Sequence, residues 1–359
     1  MAIEPAAGGN SGLLSHSVPL SRALESIGGS APNAAVIHYG LGAIGVEVAR
    51  LVRDRAGLRS VAAIDINAEL IGRSLDEVLG RPGRDAVVQV SSPTGGLRSD
   101  PGAVVLHCTT SRLVEAVPQV LGCIRAGFHV ISTCEELSYP WEDHLELARE
   151  VDDAAKGRGV TVLGTGVNPG FAMDYLPIAL SACAQRVAHV RVTRVQDAST
   201  RRQSLQRKVG AGLSDAEFKT RVKSGAIGHV GLRESARSLA AAFGWKITRL
   251  RTSLRPVHAG ASTLRAGSQS QVVRGLRQEI RASVGEHEVI RLTLEISREA
   301  QRPRDEVILS GTPNIQMTIP GGLHGDVSTA ALVVNTIPRV LQARAGLLAM
   351  FDLPPPRPW

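Results

Sequence analysis

The sequence predicts a two-part chain: an α/β half built on a doubly wound parallel sheet, then a second, α+β part. Three observations predict it. The chain has 359 residues, too many for one small core. From Ala34 to Gly164 short apolar runs alternate with amphipathic stretches, the strand–helix–strand rhythm of right-handed crossovers. Beyond Pro169 apolar and polar residues alternate one by one, as antiparallel strands with one buried face require.

In chain order, residues Met1 to Asn33 are rich in Gly, Ser, Ala and Pro and read as a mobile extension. Runs of four to six apolar residues predict strands at Ala35–Tyr39, Val61–Ile64, Val87–Val90, Ala103–Cys108, Phe128–Ser132 and Val160–Leu163. Helical periodicity between them predicts helices at Ala43–Arg53, Arg112–Arg125 and Trp141–Lys156. In the second part a helix is expected over Phe171–Ala184. Strands are expected at His189–Val195, Arg251–Val257, Leu276–Ala282, Val289–Ile296, Asp305–Ser310 and Ile315–Ile319. A last helix is expected over Val327–Met350, kinked or divided at Pro338, before a Pro-rich tail. The expected divisions are 1–33, 34–168, 169–322 and 323–359, the last returning toward the first part.

Composition narrows the class. A hydrophobic share of 43% and a charged share of 21% are those of a soluble globular protein. No apolar run is long enough to span a bilayer, and the first 30 residues lack the layout of a secretory signal. The net charge of +8 suggests nucleic acid at first. The cations are mostly Arg scattered among acids, however, and only 3% of residues are aromatic, which leaves few platforms for stacking bases. Cys108, Cys123, Cys134 and Cys183 show no C-x-x-C spacing, which speaks against a disulfide framework or a Cys-based zinc site. The expectation is a reduced, cytoplasmic protein that binds neither nucleic acid, membrane nor metal.

The strongest local signal is the run Gly40, Leu41, Gly42, Ala43, Ile44, Gly45 between an apolar run and an amphipathic helix. Glycines at this spacing permit a tight turn, close approach of backbone to a pyrophosphate, and close helix–strand packing. A helix that opens on such a loop attracts the phosphate charge. The alternative is a Gly-rich turn without a ligand. Asp65 closes the second strand twenty residues after Gly45, where a carboxylate bonds the ribose hydroxyls of NAD and repels the 2′-phosphate of NADP. Arg73 is placed to reach a 2′-phosphate, which keeps NADP open. The first part is thus expected to be a Rossmann-type dinucleotide domain.

Other segments carry chemistry with less specificity. Thr109, Thr110 and Ser111 follow the fourth strand, where they either touch the cofactor or, through Ser111, cap the next helix. Glu135 and Glu136 leave the fifth strand at the carboxyl edge of the sheet, either as an acid/base pair or as a solvated, helix-capping pair. Asn168, assigned to the cofactor, and Asp174 flank a Gly/Pro-rich junction that reads equally as a hinge. Arg201, Arg202 and Arg207, with Lys208 as a fourth cation, stand in a basic segment able to hold a substrate carboxylate or to lie in solvent. His229 is a further substrate-binding candidate with a structural alternative.

Together these motifs resemble the dinucleotide-dependent amine dehydrogenases typified by 2,4-diaminopentanoate dehydrogenase, distant relatives of dihydrodipicolinate reductase in the N-terminal domain. The carriers are the glycine motif at 40–45, Thr-Cys-Glu-Glu-Leu-Ser-Tyr-Pro-Trp at 133–141 and Gly-Thr-Gly-Val-Asn-Pro-Gly-Phe at 164–171. Gly-His-Val-Gly at 228–231, Pro-Gly-Gly at 320–322 and Val-Asn-Thr-Ile-Pro at 334–338 complete them. The resemblance implies that Glu135 is the catalytic acid/base, with Glu136 beside it. It further implies NAD or NADP as cofactor, a small amine or amino-acid substrate, ammonia, a substrate and oligomerisation role for the second domain, and a homodimer. The His-His-x-x-Lys signature of dihydrodipicolinate reductases is missing from the matching stretch His189–Val195. Reduction of a cyclic imine or semialdehyde, and non-catalytic dinucleotide sensing, are the alternatives.

Overall fold

Strand β1 (Ala34–Tyr39) is apolar at nearly every position because elements cover both of its faces. The structure, a computed structural model, describes residues 33–81, 87–93, 102–199, 203–258 and 272–359. The expected N-terminal extension therefore falls, up to residue 32, outside the described residues.

With β1, strands β2 (Leu58–Ile64), β3 (Val90–Ser91), β4 (Val104–His107), β5 (His129–Ser132) and β6 (Thr161–Gly164) form one sheet. A late strand, β13 (Gly346–Leu348), joins it, giving the order β13-β6-β5-β4-β1-β2-β3 with every neighbouring pair parallel. Helices α1 (Ala43–Asp54), α2 (Leu75–Leu79), α3 (Leu113–Arg125) and α4 (Leu145–Arg158) make the crossovers. Phe128, Ile37, Val105, Leu113, Leu137 and Val162 fill the core beneath them. The doubly wound parallel sheet is as expected.

The expected strand Val87–Val90 shrinks to Val90–Ser91: Val87 is 65% exposed, and Gln89 makes only an isolated bridge to Ser74. The expected helix from Trp141 starts at Leu145, because a turn closed from His144 N–H to the Pro140 carbonyl at 2.9 Å precedes it.

The second sheet comprises β7 (Arg186–Asp197), β8 (Arg249–His258), β9 (Val273–Val284), β10 (His287–Ser297), β11 (Arg304–Thr312) and β12 (Ile315–Pro320). Its order is β12-β11-β7-β10-β9-β8, and only the central β7–β10 pair is parallel, so the sheet is mixed. Helices α5 (Tyr175–Ser181), α6 (Gln203–Lys208), α7 (Asp215–Lys223) and α8 (Leu232–Ala242) accompany it. The expected helix Phe171–Ala184 starts late. The buried Asp174 carboxylate accepts the Gly170 N–H at 2.8 Å, the Tyr175 N–H at 2.7 Å and the Ser235 hydroxyl at 2.8 Å, so it caps α5 and ends the preceding turn.

Helix α9 (Gly325–Val340) corrects the last expected element. Pro338 lies in its final turn, and the helix ends at Val340 instead of continuing to Met350. The chain then returns to the first sheet as β13, where Leu347 pairs with Val162 and donates its N–H to Asp152 Oδ1 at 2.9 Å. Helix α9 itself packs against α1, and Arg55 reaches Asn335 at 3.2 Å.

Candidate active site

The glycine loop follows β1 directly. Gly40 N–H donates to the Ile64 carbonyl at 2.8 Å, and Gly40 adopts φ +92°, which an L side chain rarely accepts. A Cβ on Gly45 would stand 1.9 Å from the Gly40 carbonyl oxygen, so that glycine is required by packing alone. Gly42 differs: no atom of the described residues lies within 4 Å of a Cβ placed there, and the residue lines a cavity. Gly42 also occupies the N-cap of α1 with no side-chain cap, which leaves helix N–H groups for an anion. Asp65 accepts the Leu41 N–H at 2.6 Å and the Asn67 N–H at 2.7 Å, so it is fixed beside the loop with lone pairs remaining on both oxygens. This loop, an uncapped helix end and an acid at the end of β2 fit a dinucleotide.

The cavity measures about 640 Å³ and opens at the carboxyl ends of β1, β4, β5 and β6. Ala43, Ile44, Thr109, Thr110 and Ser111 line it on the side of the first sheet. Thr109 Oγ1 also bonds His107 Nε2 at 3.0 Å and Gln119 Oε1 at 2.9 Å, and the Thr110 hydroxyl donates to Glu115. Ser111 does not cap α3. The N-cap position belongs to Arg112, and the Leu113 N–H is taken at 2.7 Å by the Glu136 carboxylate, which also accepts Arg112 Nη1 at 2.7 Å. The Ser111 hydroxyl instead favours the ionised form of Glu135.

Glu135 and Glu136 share a short 3-10 turn, Glu135–Leu137, yet their surroundings part completely. Glu136 is buried, tied to α3 and lies outside the cavity lining. Glu135 lines the cavity, and burial pushes its carboxyl above the usual range despite the opposing effects of Ser111 and the Lys208 charge. A Cβ on Gly231 would lie 2.3 Å from Pro169 Cδ and 3.1 Å from Glu135 Cβ, so this glycine lets the two segments meet.

The opposite wall comes from the second sheet. Asn168 Nδ2 stands 3.0 Å from His229 Nε2, and Gln278 clamps the His229 backbone, accepting its N–H at 2.9 Å and donating to its carbonyl at 3.1 Å. Burial pushes the His229 imidazole down to about 4, so it is neutral at physiological pH. Asn168 and His229 both line the cavity. Among the described residues, buried Asn168 Oδ1 and Thr165 Oγ1 have no partner. In the basic segment, Arg201 and Arg202 lie outside the described residues. Arg207 is exposed and outside the cavity lining, whereas its neighbour Lys208 lines the cavity.

Arg194, Gln196 and Gln278 were not singled out from sequence as site residues. Arg194 and Gln196 had a readable signal: they continue the buried face that Val190 and Val192 begin on β7, so polar side chains stand at inward positions. Arg194 donates to Asp305 at 2.5 Å and to the Leu323 carbonyl at 2.7 Å. Gln278 had no such signal.

A dinucleotide-type loop and a carboxylate on the wall of one cavity, with a mixed sheet closing its far side, define the class as an oxidoreductase. Residues 171–359 match the family model of the 2,4-diaminopentanoate dehydrogenase C-terminal domain. The chain is 32% identical over 336 residues to 2,4-diaminopentanoate dehydrogenase of Acetoanaerobium sticklandii, covering 90% of this chain and 94% of that one. It is 26% identical to an amine dehydrogenase of Streptomyces virginiae, over 89% of this chain and 95% of that protein. The solved structure of an amine dehydrogenase from Mycobacterium smegmatis superposes with a TM-score of 0.75 at 26% identity, covering 91% of this chain and 97% of the other. The chain belongs to the 2,4-diaminopentanoate dehydrogenase family, and it is an oxidoreductase of the amine dehydrogenase kind.

Proposed function

We propose that this enzyme catalyses the reversible oxidative deamination of a small amine or diamino acid such as 2,4-diaminopentanoate, with Glu135 as acid/base. The observation that carries this is Glu135 itself, a carboxyl with a raised pKa on the cavity wall opposite the second sheet and beside the glycine loop. The overall change converts the substrate ammonium, oxidised dinucleotide and water into a carbonyl compound, reduced dinucleotide, ammonium and one proton. Nicotinamide, when bound, takes the hydrogen of the amine-bearing carbon with its electron pair.

Glu135 accepts a proton from the substrate ammonium, which frees the nitrogen lone pair that forms the C=N bond. It releases that proton to solvent, then takes one from the water that adds to the carbon and returns it to the nitrogen, so that ammonia leaves as the C–N bond breaks and carries off the proton of the new hydroxyl, leaving the carbonyl and ammonium. The Ser111 hydroxyl favours the carboxylate form. Gly40, Leu41, Gly42, Ala43, Ile44 and Gly45 would hold the pyrophosphate, and Asp65 the ribose hydroxyls. Thr109, Thr110 and Asn168 would face the nicotinamide end.

Asp65 supports NAD over NADP, since its charge repels a 2′-phosphate. The protein is taken to be cytoplasmic and a homodimer; light scattering on the purified chain measures its oligomeric state. The decisive experiment follows reduction of NAD and NADP with a panel of amines, amino acids and diamino acids. Amine-dependent reduction, faster with NAD and with that preference eroded in Asp65→Ala, is expected. Absence of reduction with every nitrogen substrate rejects the function.

A further inference from the structure

A second hollow, of about 360 Å³, lies at the β13 edge of the first sheet and shares no lining residue with the active-site cavity. Its volume falls within the range of about 300–1,000 Å³ usual for small-molecule sites. Tyr139, Trp141 and Phe351 line it, three of the eleven aromatic residues in the chain. Each is half-buried. Trp141 packs against the core of the first sheet, and the Tyr139 and Phe351 rings meet at a centroid distance of 6.2 Å and a tilt of 37°. Each ring is thus anchored in the protein and still leaves part of its surface uncovered.

Two acids and two bases belong to the same lining, and they are unequally committed. Asp152 is buried, and it accepts the Leu347 N–H at 2.9 Å and Lys156 Nζ at 2.6 Å. Gly346 makes room for it: the residue has φ +123°, and a Cβ there would stand 2.6 Å from Asp152 Oδ1. Asp352 accepts the Ala349 N–H at 2.9 Å and lies 3.5 Å from Arg344 Nη2. Each acid therefore holds a backbone group as well as its base. The bases face outward: the side chains of Lys156 and Arg344 are 54% and 63% exposed, against 11% and 30% for their acids. An ammonium has three donors and a guanidinium five, so most of theirs remain for a ligand. Beside the aromatic wall the hollow thus offers positively charged N–H groups, which suit an anion. The Pro-rich tail of the chain does not fill it, since no residue beyond Asp352 lines it and the Pro355 carbonyl is taken by Arg339 Nε at 3.1 Å.

We propose that this hollow is a second small-molecule site, which takes a flat aromatic or heteroaromatic ring bearing one anionic group. The ring lies against Tyr139, Trp141 and Phe351, and Lys156 and Arg344 bind the anion. An aliphatic anion would leave the aromatic surface in water, and a neutral ring would leave the charged donors without a partner. The chemistry has two sources, an aromatic carboxylate and the base and phosphate of a nucleoside monophosphate. The site goes beyond amine oxidation and does not depend on the role of Glu135.

The test titrates the full-length enzyme by calorimetry, saturated with NADH so that the dinucleotide loop is filled. Indole-3-acetate and AMP are the anionic probes. Indole-3-acetamide and adenosine keep the ring without the charge, and cyclohexylacetate and ribose 5-phosphate keep the charge without the aromatic ring. At least one anionic probe should bind once per chain, about tenfold more tightly than both of its counterparts. Which probe binds tells the carboxylate from the phosphate source. Lys156→Gln and Arg344→Gln should each weaken that binding by about fivefold or more, with NADH affinity within about twofold of the wild type. Both positions are exposed and glutamine can still donate to the neighbouring acid, so both variants should fold. Absence of binding by either anion at about 10 mM overturns the proposal. So does equal binding of a counterpart, or binding undiminished in either variant, which would put the probe elsewhere. A large loss of NADH affinity in the variants also overturns it, since the hollow would then serve the dinucleotide.

Discussion

Arg112 and Glu136 form a charge-assisted pair at 2.7 Å across the mouth of α3, and the same carboxylate accepts the first N–H of that helix. The pair holds the turn that carries Glu135. It thereby separates two adjacent acids into one that stabilises and one that faces the cavity.

The division of labour predicts opposite phenotypes for the same substitution. Glu135→Gln should lower turnover by about 10²–10⁴, the usual worth of a positioned general base, with little change in thermal stability or dinucleotide affinity. Glu136→Gln removes the buried charge opposite Arg112 and the α3 N-terminus, and should cost about 1–3 kcal/mol of stability. Its turnover, measured below the melting transition, should stay well above that of Glu135→Gln. Steady-state kinetics and denaturant titration on both variants decide it; a stable but inactive Glu136→Gln would reverse the roles.

Gly45 and Gly42 of the dinucleotide loop should also behave differently. An alanine methyl at Gly45 collides with the Gly40 carbonyl, so Gly45→Ala should be strongly destabilised or insoluble. At Gly42 the backbone has φ −66°, ordinary for alanine, and the methyl meets no described atom. Gly42→Ala should therefore fold with an unchanged melting temperature, yet lose dinucleotide affinity by about tenfold or more because the methyl takes the place of the pyrophosphate approach. Normal NADH binding by Gly42→Ala, read by fluorescence, would detach the cavity from the cofactor.

Legibility in the sequence followed the range of the interactions. The glycine loop, Asp65 and the acids after β5 were readable because strand ends and turn residues are local. Ser111 was misread as a cap because the true acceptor, Glu136, arrives from 23 residues farther on. Gln278 could not be found, since its partner His229 lies 49 residues away and the pairing depends on how β9 sits in the second sheet. β13 was hidden for a different reason: its three apolar residues continue the periodicity of α9, and only the parallel edge of β6 makes them a strand.

A neutral, hydrogen-bonded His229 suits a positioning residue better than an acid or base. With its ring pushed down to about 4 it stays neutral across the range in which the enzyme would work, and Asn168 Nδ2 makes Nε2 the acceptor of their bond. Gln278→Leu releases both backbone bonds to His229 and should raise the amine KM by about tenfold through the loosened Asn168 carboxamide, an effect of the size expected from small misplacements in a site. The pH dependence of kcat should be the same in Gln278→Leu and wild type. A shifted acid limb in the variant would show that His229 titrates during turnover.

Buried neutral imidazoles set the acid limit of stability. His38 is 2% exposed, bonds Ser60 Oγ at 2.9 Å, and is pushed down to about 3 by burial and then by the Arg53 charge. His107, bonded to Ser132 at 2.8 Å and to Gln119 at 3.0 Å, is pushed down to about 4 by burial, as is His229. In the unfolded chain each takes up a proton near the ordinary value of about 6.5, which the folded chain refuses until far lower pH. The unfolded state therefore binds more protons between these limits. Stability from these groups is complete above about pH 6.5 and falls as pH drops toward 4, by about 2–3 kcal/mol per histidine at pH 4.5. His38→Gln can keep the bond to Ser60 and lies away from the cavity lining. It should lose stability at pH 7.5 but show a shallower decline than wild type on going to pH 4.5, measured by guanidinium unfolding at both pH values. Parallel declines in the two proteins would show that His38 is protonated, or relieved of its burial, in the folded state.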